Sequence, residues 1–534
     1  MKKALGLAAC GLFFTACAAE PENNNTSEEE GSPENAEEQE MVGGEEYLQF
    51  GIASDPVSLD PHGANENVSN SINSTIYDRL VYFNEDLEIE QGLAEDLEQI
   101  EDDVWEVTVR EGVTFHDGEE LTPEVIQRNF ERILDPDMGS PVAFIFDMIE
   151  DITVVDDSTL HITTEYPFAP LPSHLAHPGG SIVSPAIIDA SYENLENGED
   201  PFEAAQDGPA GTGYFQYEEY EPGNYVRLAK NEEYWDEEQA KVEGISFRVI
   251  PEGLTRIGEL ETGSLDIAYP INPSDMDRLE EADGVGVQQS ESARMAYLGF
   301  NTEASPFDDA DVRRAVHMAV NKEDIIEGVL AGTGREADYP IAPEVFGYSE
   351  DAATVEQDLE EAEQLLSEAG YEDGFETTLL TNDDRENEDA AQLIQAQLSQ
   401  IGIEVSIESY EQGTYLEMAG EGNSEMFLGS WGTVTLDADY GLYPVFHSNN
   451  KGAAGNRSFL DNEEIDALLT EARQESDEEE RLQLYEEAQN LLVEESPYAY
   501  LYYPDLVAGV SEDVEGFWQV PSSFHFLRDT EINR

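Results

Sequence analysis

Apolar positions first fall into a regular pattern at Tyr47-Leu48-Gln49-Phe50-Gly51-Ile52. Leu48, Phe50 and Ile52 occupy every second place, the period of a strand. Trp105-Glu106-Val107-Thr108-Val109-Arg110 alternates in the same way. The period then changes. Thr122-Pro123 opens a helix, with Thr as N-cap and Pro at the first helical position. Val125, Ile126, Phe130, Ile133 and Leu134 form its apolar face. Thr354-Val355-Glu356-Gln357 has the spacing of a capping box, followed by Leu359, Ala362, Leu365 and Leu366 on one face and Gly370 near the end. Ile465, Leu468, Leu469 and Ala472 mark another helix, and Leu484, Ala488, Leu491 and Leu492 a further one. Strands and helices interleave with no repeat of fixed period. That predicts α/β or α+β lobes and not a solenoid.

Before Tyr47 the pattern is of another kind. Met1-Lys2-Lys3 precedes an apolar run from Ala4 to Ala16 that ends at Cys17. A basic tip, an apolar core and small residues at the cut make an export signal; the run is far shorter than the roughly 20 residues needed to span a bilayer. Thr15-Ala16-Cys17 resembles a lipobox, with Phe14 where Leu is usual, so Cys17 is expected to become the lipidated first residue. Leu7-Ala8-Ala9-Cys10 fits by letter but leaves almost no apolar core before the cut. From Ala18 to about Glu46 the chain is rich in Glu, Asn, Ser, Gly and Pro, and reads as a flexible tether. No transmembrane helix is expected after the leader.

Charge narrows the partners. The chain carries 24 basic and 120 acidic residues, a formal −96. A phosphate-binding surface needs the opposite sign, so nucleic acid is excluded as a partner. An anionic membrane would repel this surface, so attachment requires the lipid. The acids are spread over every segment, which reads as a solvated surface adapted to high salt. Screening lengths fall to roughly 3 Å near 1 M salt, where self-repulsion becomes tolerable. Arginine is so scarce that any Arg near a pocket needs explaining. Cys10 and Cys17 are the only cysteines. Processing at Cys17 would leave no intrachain disulfide and no cysteine-based metal site, so the fold stands on its core.

Reactive motifs are missing: there is no GxxxxGK[ST], HExxH, GxSxG or CxxC. Gly211-Thr212-Gly213 lacks the third glycine of a dinucleotide loop and reads as a turn. His174 and His177 could share a helix face, but Pro178 follows at once; a surface or core role is the reading. Carboxylate pairs occur everywhere and so carry no information about acid–base catalysis. Neither enzyme chemistry nor a cofactor or metal is expected.

Ordered blocks along the chain resemble one family. They begin with Ser58-Leu59-Asp60-Pro61-His62, Ile76-Tyr77-Asp78-Arg79-Leu80 and Gly92-Leu93-Ala94-Glu95. Arg110-Glu111-Gly112-Val113-Thr114-Phe115-His116-Asp117-Gly118 is similar to the family signature. Gly211-Thr212-Gly213-Tyr214-Phe215, Tyr234-Trp235, Tyr297-Leu298-Gly299-Phe300-Asn301-Thr302 and Val312-Arg313-Arg314-Ala315-Val316 follow. Trp431-Gly432, Asp437-Ala438-Asp439-Tyr440 and Gly455-Asn456-Arg457-Ser458-Phe459 close the set. On these blocks the chain is identified as a member of the extracellular solute-binding proteins of family 5, which serve peptide-, glutathione- and nickel-type ABC importers.

The resemblance implies an α/β, two-lobed clamp of the periplasmic-binding-protein type II kind with an extra inserted subdomain. Its segments would be a lipoprotein signal peptide over 1–17 and a disordered acidic tether over 18–44. A discontinuous base lobe would follow from 45–84, 205–290 and 500–534, with an inserted subdomain over 85–204 and a second lobe over 291–499. The crossings near 290 and 500 would act as hinge. The implied function is capture of short peptides outside the cell and delivery to ABC permease subunits with cytoplasmic ATPases. The protein would be a monomer, anchored to the membrane by its lipid. Glutathione, nickel complexes or oligosaccharides are the alternative ligands; a secreted hydrolase and a non-transporting peptide receptor are the rivals from other classes.

A peptide brings an α-ammonium and an α-carboxylate, and a buried cleft must pair both. In peptide-binding relatives, an Asp three residues after a Trp takes the ammonium; here that place after Trp431 is Val434. Asp437 is therefore the first candidate and Asp439 the second, with Trp431 and Tyr440 as pocket walls. For the carboxylate, the planar fork of Arg suits two oxygens. Relatives use an Arg shortly before a helix similar to 391–398, a region that Arg385 occupies; Arg294 and Arg457 are rivals. From the base lobe, the loop Gly63-Ala64-Asn65-Glu66-Asn67 is similar to the ligand-facing loop of relatives, which proposes Asn65, Glu66 and Asn67. His116 is read as a turn or core histidine.

Overall fold

Three sheets carry the architecture, and the chain visits them in an order that sets where a ligand can sit. A computed structural model describes residues 46–206, 208–452 and 455–534. Cys17 and the tether lie outside the described residues. The described residues all belong to one unit, Met41–Arg534.

The base sheet has seven strands, in the order Val285–Ser290, Leu506–Ser511, Ile267–Ala268, Tyr47–Ile52, Gly244–Val249, Tyr225–Lys230 and Phe215–Glu221. Tyr47–Ile52 lies near its middle and runs parallel to both neighbours. The alternation of Leu48, Phe50 and Ile52 predicts a strand with one buried face. In the structure both faces are covered, and Gln49 and Gly51 are buried as well. Layers on both sides of the sheet explain this: Phe50 packs against Phe517 and His525 on one face, and Gly51 lies against Leu265 and Arg256 on the other. Phe50 meets Phe247 at a ring separation of 5.5 Å. Each such fully buried side chain contributes about 1.5–3 kcal/mol.

The second sheet has six strands, ordered Arg335–Glu336, Tyr498–Tyr503, Arg294–Phe300, Met426–Gly432, Phe375–Asn382 and Ile403–Tyr410. Phe375–Asn382 is parallel to both of its neighbours, and the remaining pairs are antiparallel. A third, four-stranded antiparallel sheet, Ala94–Glu101, Val104–Val109, Thr159–Thr164 and Ile149–Val154, belongs to the stretch between the first two segments of the base. We call the three regions base, second lobe and insert.

The chain passes from base to second lobe between Ser290 and Arg294. It returns between Tyr503 and Leu506. The return lies at Pro504-Asp505, so a boundary at 500 would cut the strand Tyr498–Tyr503. The Ser292 hydroxyl donates to the Pro504 carbonyl and ties the two crossings together.

Helix starts follow local chemistry. Thr122 caps Pro123–Leu134 by accepting from the Val125 N–H. The helix read after Thr354 instead begins at Leu359. Its cap is Asp358, whose carboxylate accepts from the Glu360 and Glu361 N–H groups. An ionised acceptor four residues on outcompetes the threonine. The turn at Phe115-His116-Asp117-Gly118 has Gly118 at φ +89°. His116 Nε2 donates to the Gly213 carbonyl at 3.0 Å, which makes it a strut between insert and base.

Candidate functional site

A cavity of about 540 Å³ lies where the three regions meet. The base contributes Asn65, Asn67 and Asn70; the insert contributes Phe144, Asp147 and His174. The second lobe contributes Arg294, Trp431, Asp439, Tyr440, Arg457 and Arg473.

Tyr440 is the hub of its wall. It sits in the first turns of the helix Ala438–Phe446, and its carbonyl accepts the Trp431 indole N–H at 3.0 Å. Trp431 packs 5.6 Å away, and Phe144 of the insert stacks at 6.1 Å. Burial pushes the Tyr440 hydroxyl up to about 12, against a lowering contact from the Asn65 side chain. One residue thus touches base, insert and second lobe.

The acids expected to hold an ammonium are placed otherwise. Asp437 is 2% exposed and is not among the cavity-lining residues. It caps Ala438–Phe446 through the Asp439 N–H, and Arg481 Nη2 meets its Oδ1 at 2.5 Å. Asp439 does line the cavity, but it is committed. Arg473 binds it through two N–H groups, Nε to Oδ1 and Nη2 to Oδ2, each at 3.0 Å. His174 Nε2 stands 3.5 Å from Oδ2. Burial alone would raise the Asp439 carboxyl; Arg473 and His174 overcome it and hold it well below the usual carboxylate range. The Arg473 guanidinium lies 3.7 Å from the Tyr443 ring and 5.3 Å from that of Phe168. Its carbonyl accepts the Ala169 N–H at 3.3 Å, a bond from insert to second lobe.

The arginines separate as sharply. Arg385 begins the helix Arg385–Leu398, with its side chain 78% exposed and facing Asp389 at 3.6 Å. It lines no part of the cavity. Arg294 and Arg457 both line the cavity. Arg294 donates to the Ser430 hydroxyl at 3.3 Å, and Arg457 reaches the Tyr297 side chain. Neither has a carboxylate within ion-pair distance among the described residues. The Arg457 Nε is buried without a hydrogen-bond partner. Asn65 and Asn67 line the cavity, whereas Glu66 caps Asn67–Ile76 through the Val68 and Ser69 N–H groups.

Leaving histidine aside, the charged lining residues are Arg294, Arg457 and Arg473 against Asp147 and Asp439. The cavity is therefore cationic by one charge inside a chain of −96. A smaller cavity, about 370 Å³, lies between base and insert, but its arginines are spent. Arg528 pairs with Asp236 and Glu238, and Arg79 packs against the rings of Tyr82 and Phe524. No cluster of three or more His, Cys, Asp or Glu positioned for a metal occurs among the described residues.

Asp147 and Arg473 carry no local sequence signal. One acid among 120 is invisible by composition, and an Arg late in a helix reads as a dipole partner.

Comparison with known proteins gives a consistent picture. Residues 88–453 match the family described as bacterial extracellular solute-binding proteins, family 5. The glutathione-binding protein GsiB of Salmonella typhi is 30% identical over 489 residues, covering 90% of this chain and 93% of that protein. The periplasmic binding protein DppA of Helicobacter pylori, solved with the peptide STSA, superposes with a TM-score of 0.80 at 29% identity, over 91% of this chain and 98% of that one. A dipeptide-binding protein of Pseudoalteromonas sp. SM9913, solved with Met-Leu, gives 0.79 at 26% identity, over 91% and 99%. The type II two-lobed clamp is the fold of these neighbours.

Proposed function

The chain belongs to family 5 of the bacterial extracellular solute-binding proteins, and from that premise we propose that its inter-lobe cavity takes short peptides by their charged ends. As a family member it is the solute-binding component of an ABC importer. Arg294 and Arg457 carry the reading. They are two guanidinium groups without carboxylate partners, facing one cavity in a chain that pairs most of its other arginines. A carboxylate is the ligand group that completes them, and the planar fork accepts two oxygens at once. Asn65, Asn67 and Asn70 offer amide donors and acceptors that suit a peptide backbone of any sequence, with water completing the set. Trp431 and Tyr440 supply an apolar wall.

In the same reading, Cys17 carries the lipid that holds a monomer outside the cell, with the permease as its membrane partner. The discontinuous base, the insert and the second lobe close on the ligand about the crossings at 291–293 and 504–505.

Native mass spectrometry of gently purified, lipid-free protein, followed by acid release, tests the ligand class. A ladder of short peptides is expected. A single species such as glutathione, a metal complex or a sugar would move the protein to the other branch of the family.

A further inference from the structure

A peptide held only by Arg294 and Arg457 leaves its α-ammonium unpaired, and an unpaired charge in a closed cleft is costly. Asp437 is outside the cavity, and Asp439 is consumed by Arg473. One carboxylate remains on the cavity wall. Asp147, on the insert, has no hydrogen bond or ion pair among the described residues.

Its backbone is fixed on both sides, while its side chain is open to solvent at the cavity wall. The Ile145 carbonyl accepts from His174 Nδ1 at 2.7 Å, the Ile149 N–H donates to the Phe146 carbonyl, and the Met148 carbonyl accepts the Glu165 N–H. Phe146 and Met148 are buried on either side of it. A free carboxylate on a rigid support is preorganised for a cation. The groups that act on it are Arg473, His174, Asp439 and Glu165. Burial is the largest influence and raises the Asp147 carboxyl; Arg473 and His174 oppose it, and Asp439 and Glu165 add to it, while the Arg473 guanidinium is itself bound to Asp439 at 3.0 Å. Arg294 and Arg457 are not among its main electrostatic neighbours; they sit by Ser430 and Tyr297. The cavity thus has two poles.

We propose that Asp147 of the insert binds the α-ammonium of the peptide while Arg294 and Arg457 of the second lobe bind its carboxylate, so the ligand runs from insert to second lobe. The assignment rests on the peptide reading and adds an orientation and an anchor to it. It moves the ammonium partner off the loop after Trp431, where Val434 stands, and onto a different subdomain.

A double-mutant cycle tests it. The probes are the best-binding of the di- to pentaalanines, its N-acetyl form and its C-terminal amide, titrated calorimetrically against the full chain and the Asp147→Asn and Asp147→Ser variants. Loss of one partner of a desolvated charge pair costs about 2–5 kcal/mol, which is on the order of 30- to several-thousand-fold in affinity. We expect a loss in that range for wild type on N-acetylation and for Asp147→Asn on the free peptide. In both variants, acetylation should then cost less than about 3-fold further, and amidation its full penalty. A merely structural role for Asp147 would lower affinity for all probes alike and leave the acetylation penalty intact; that result overturns the assignment. An acetylation penalty abolished by Asp439→Asn and not by Asp147→Asn would also overturn it. If wild type binds neither free nor blocked peptides, the peptide reading itself falls, and the orientation with it.

Discussion

Asp437 shows how one side chain can be placed by a partner far along the chain. It pairs with Arg481, and both are less than 10% exposed. Asp437→Asn would leave a buried guanidinium without its counter-charge, which costs about 3–5 kcal/mol. Chemical denaturation should show a loss of that size, while peptide affinity stays within experimental scatter of wild type; a large affinity loss at unchanged stability would return Asp437 to the binding site. Much of the wall was legible beforehand: Trp431, Tyr440, Asn65 and Asn67 were reached through the resemblance, and Arg294 and Arg457 through the scarcity of arginine. Asp437 and Arg385 were reached in the same way yet lie off that wall, for a common reason. A motif gives position along the chain, whereas commitment to a partner depends on residues such as Arg481, 44 positions away.

Segments repeat that lesson on a larger scale. The Pro123–Leu134 helix was readable because its cap, proline and apolar face agree. The Leu359–Glu368 helix was readable except for its start, where two potential caps compete and only Asp358 reaches the free N–H groups. The Gly211-Thr212-Gly213 bend was readable as a turn, but its purpose needs three dimensions. A Cβ at Gly213 would stand 2.5–2.6 Å from backbone atoms of Ile76 and Thr75. The Gly213 N–H donates to the Ile76 carbonyl, and its own carbonyl accepts from His116 and Asn231. The bend therefore clamps the end of the Asn67–Ile76 helix to the insert. Gly213→Ala should destabilise by about 1–3 kcal/mol or more, because the obstacle is backbone on a neighbouring element and cannot rotate away. A denaturation midpoint equal to wild type would refute the close approach.

For the whole molecule, the governing quantity is a formal charge of −96. The Debye length falls from about 10 Å at 0.1 M salt to about 3 Å at 1 M. Repulsion among surface acids should therefore weaken steeply over that range, and the unfolding temperature measured by calorimetry should climb with potassium chloride. A melting temperature flat across that range would mean that burial alone holds the body. The Ala169–Arg473 bond and the rings around that guanidinium join insert to second lobe directly. Any separation of the insert from the second lobe must break this contact, so opening of that seam carries its cost and the seam acts as a latch as well as a wall.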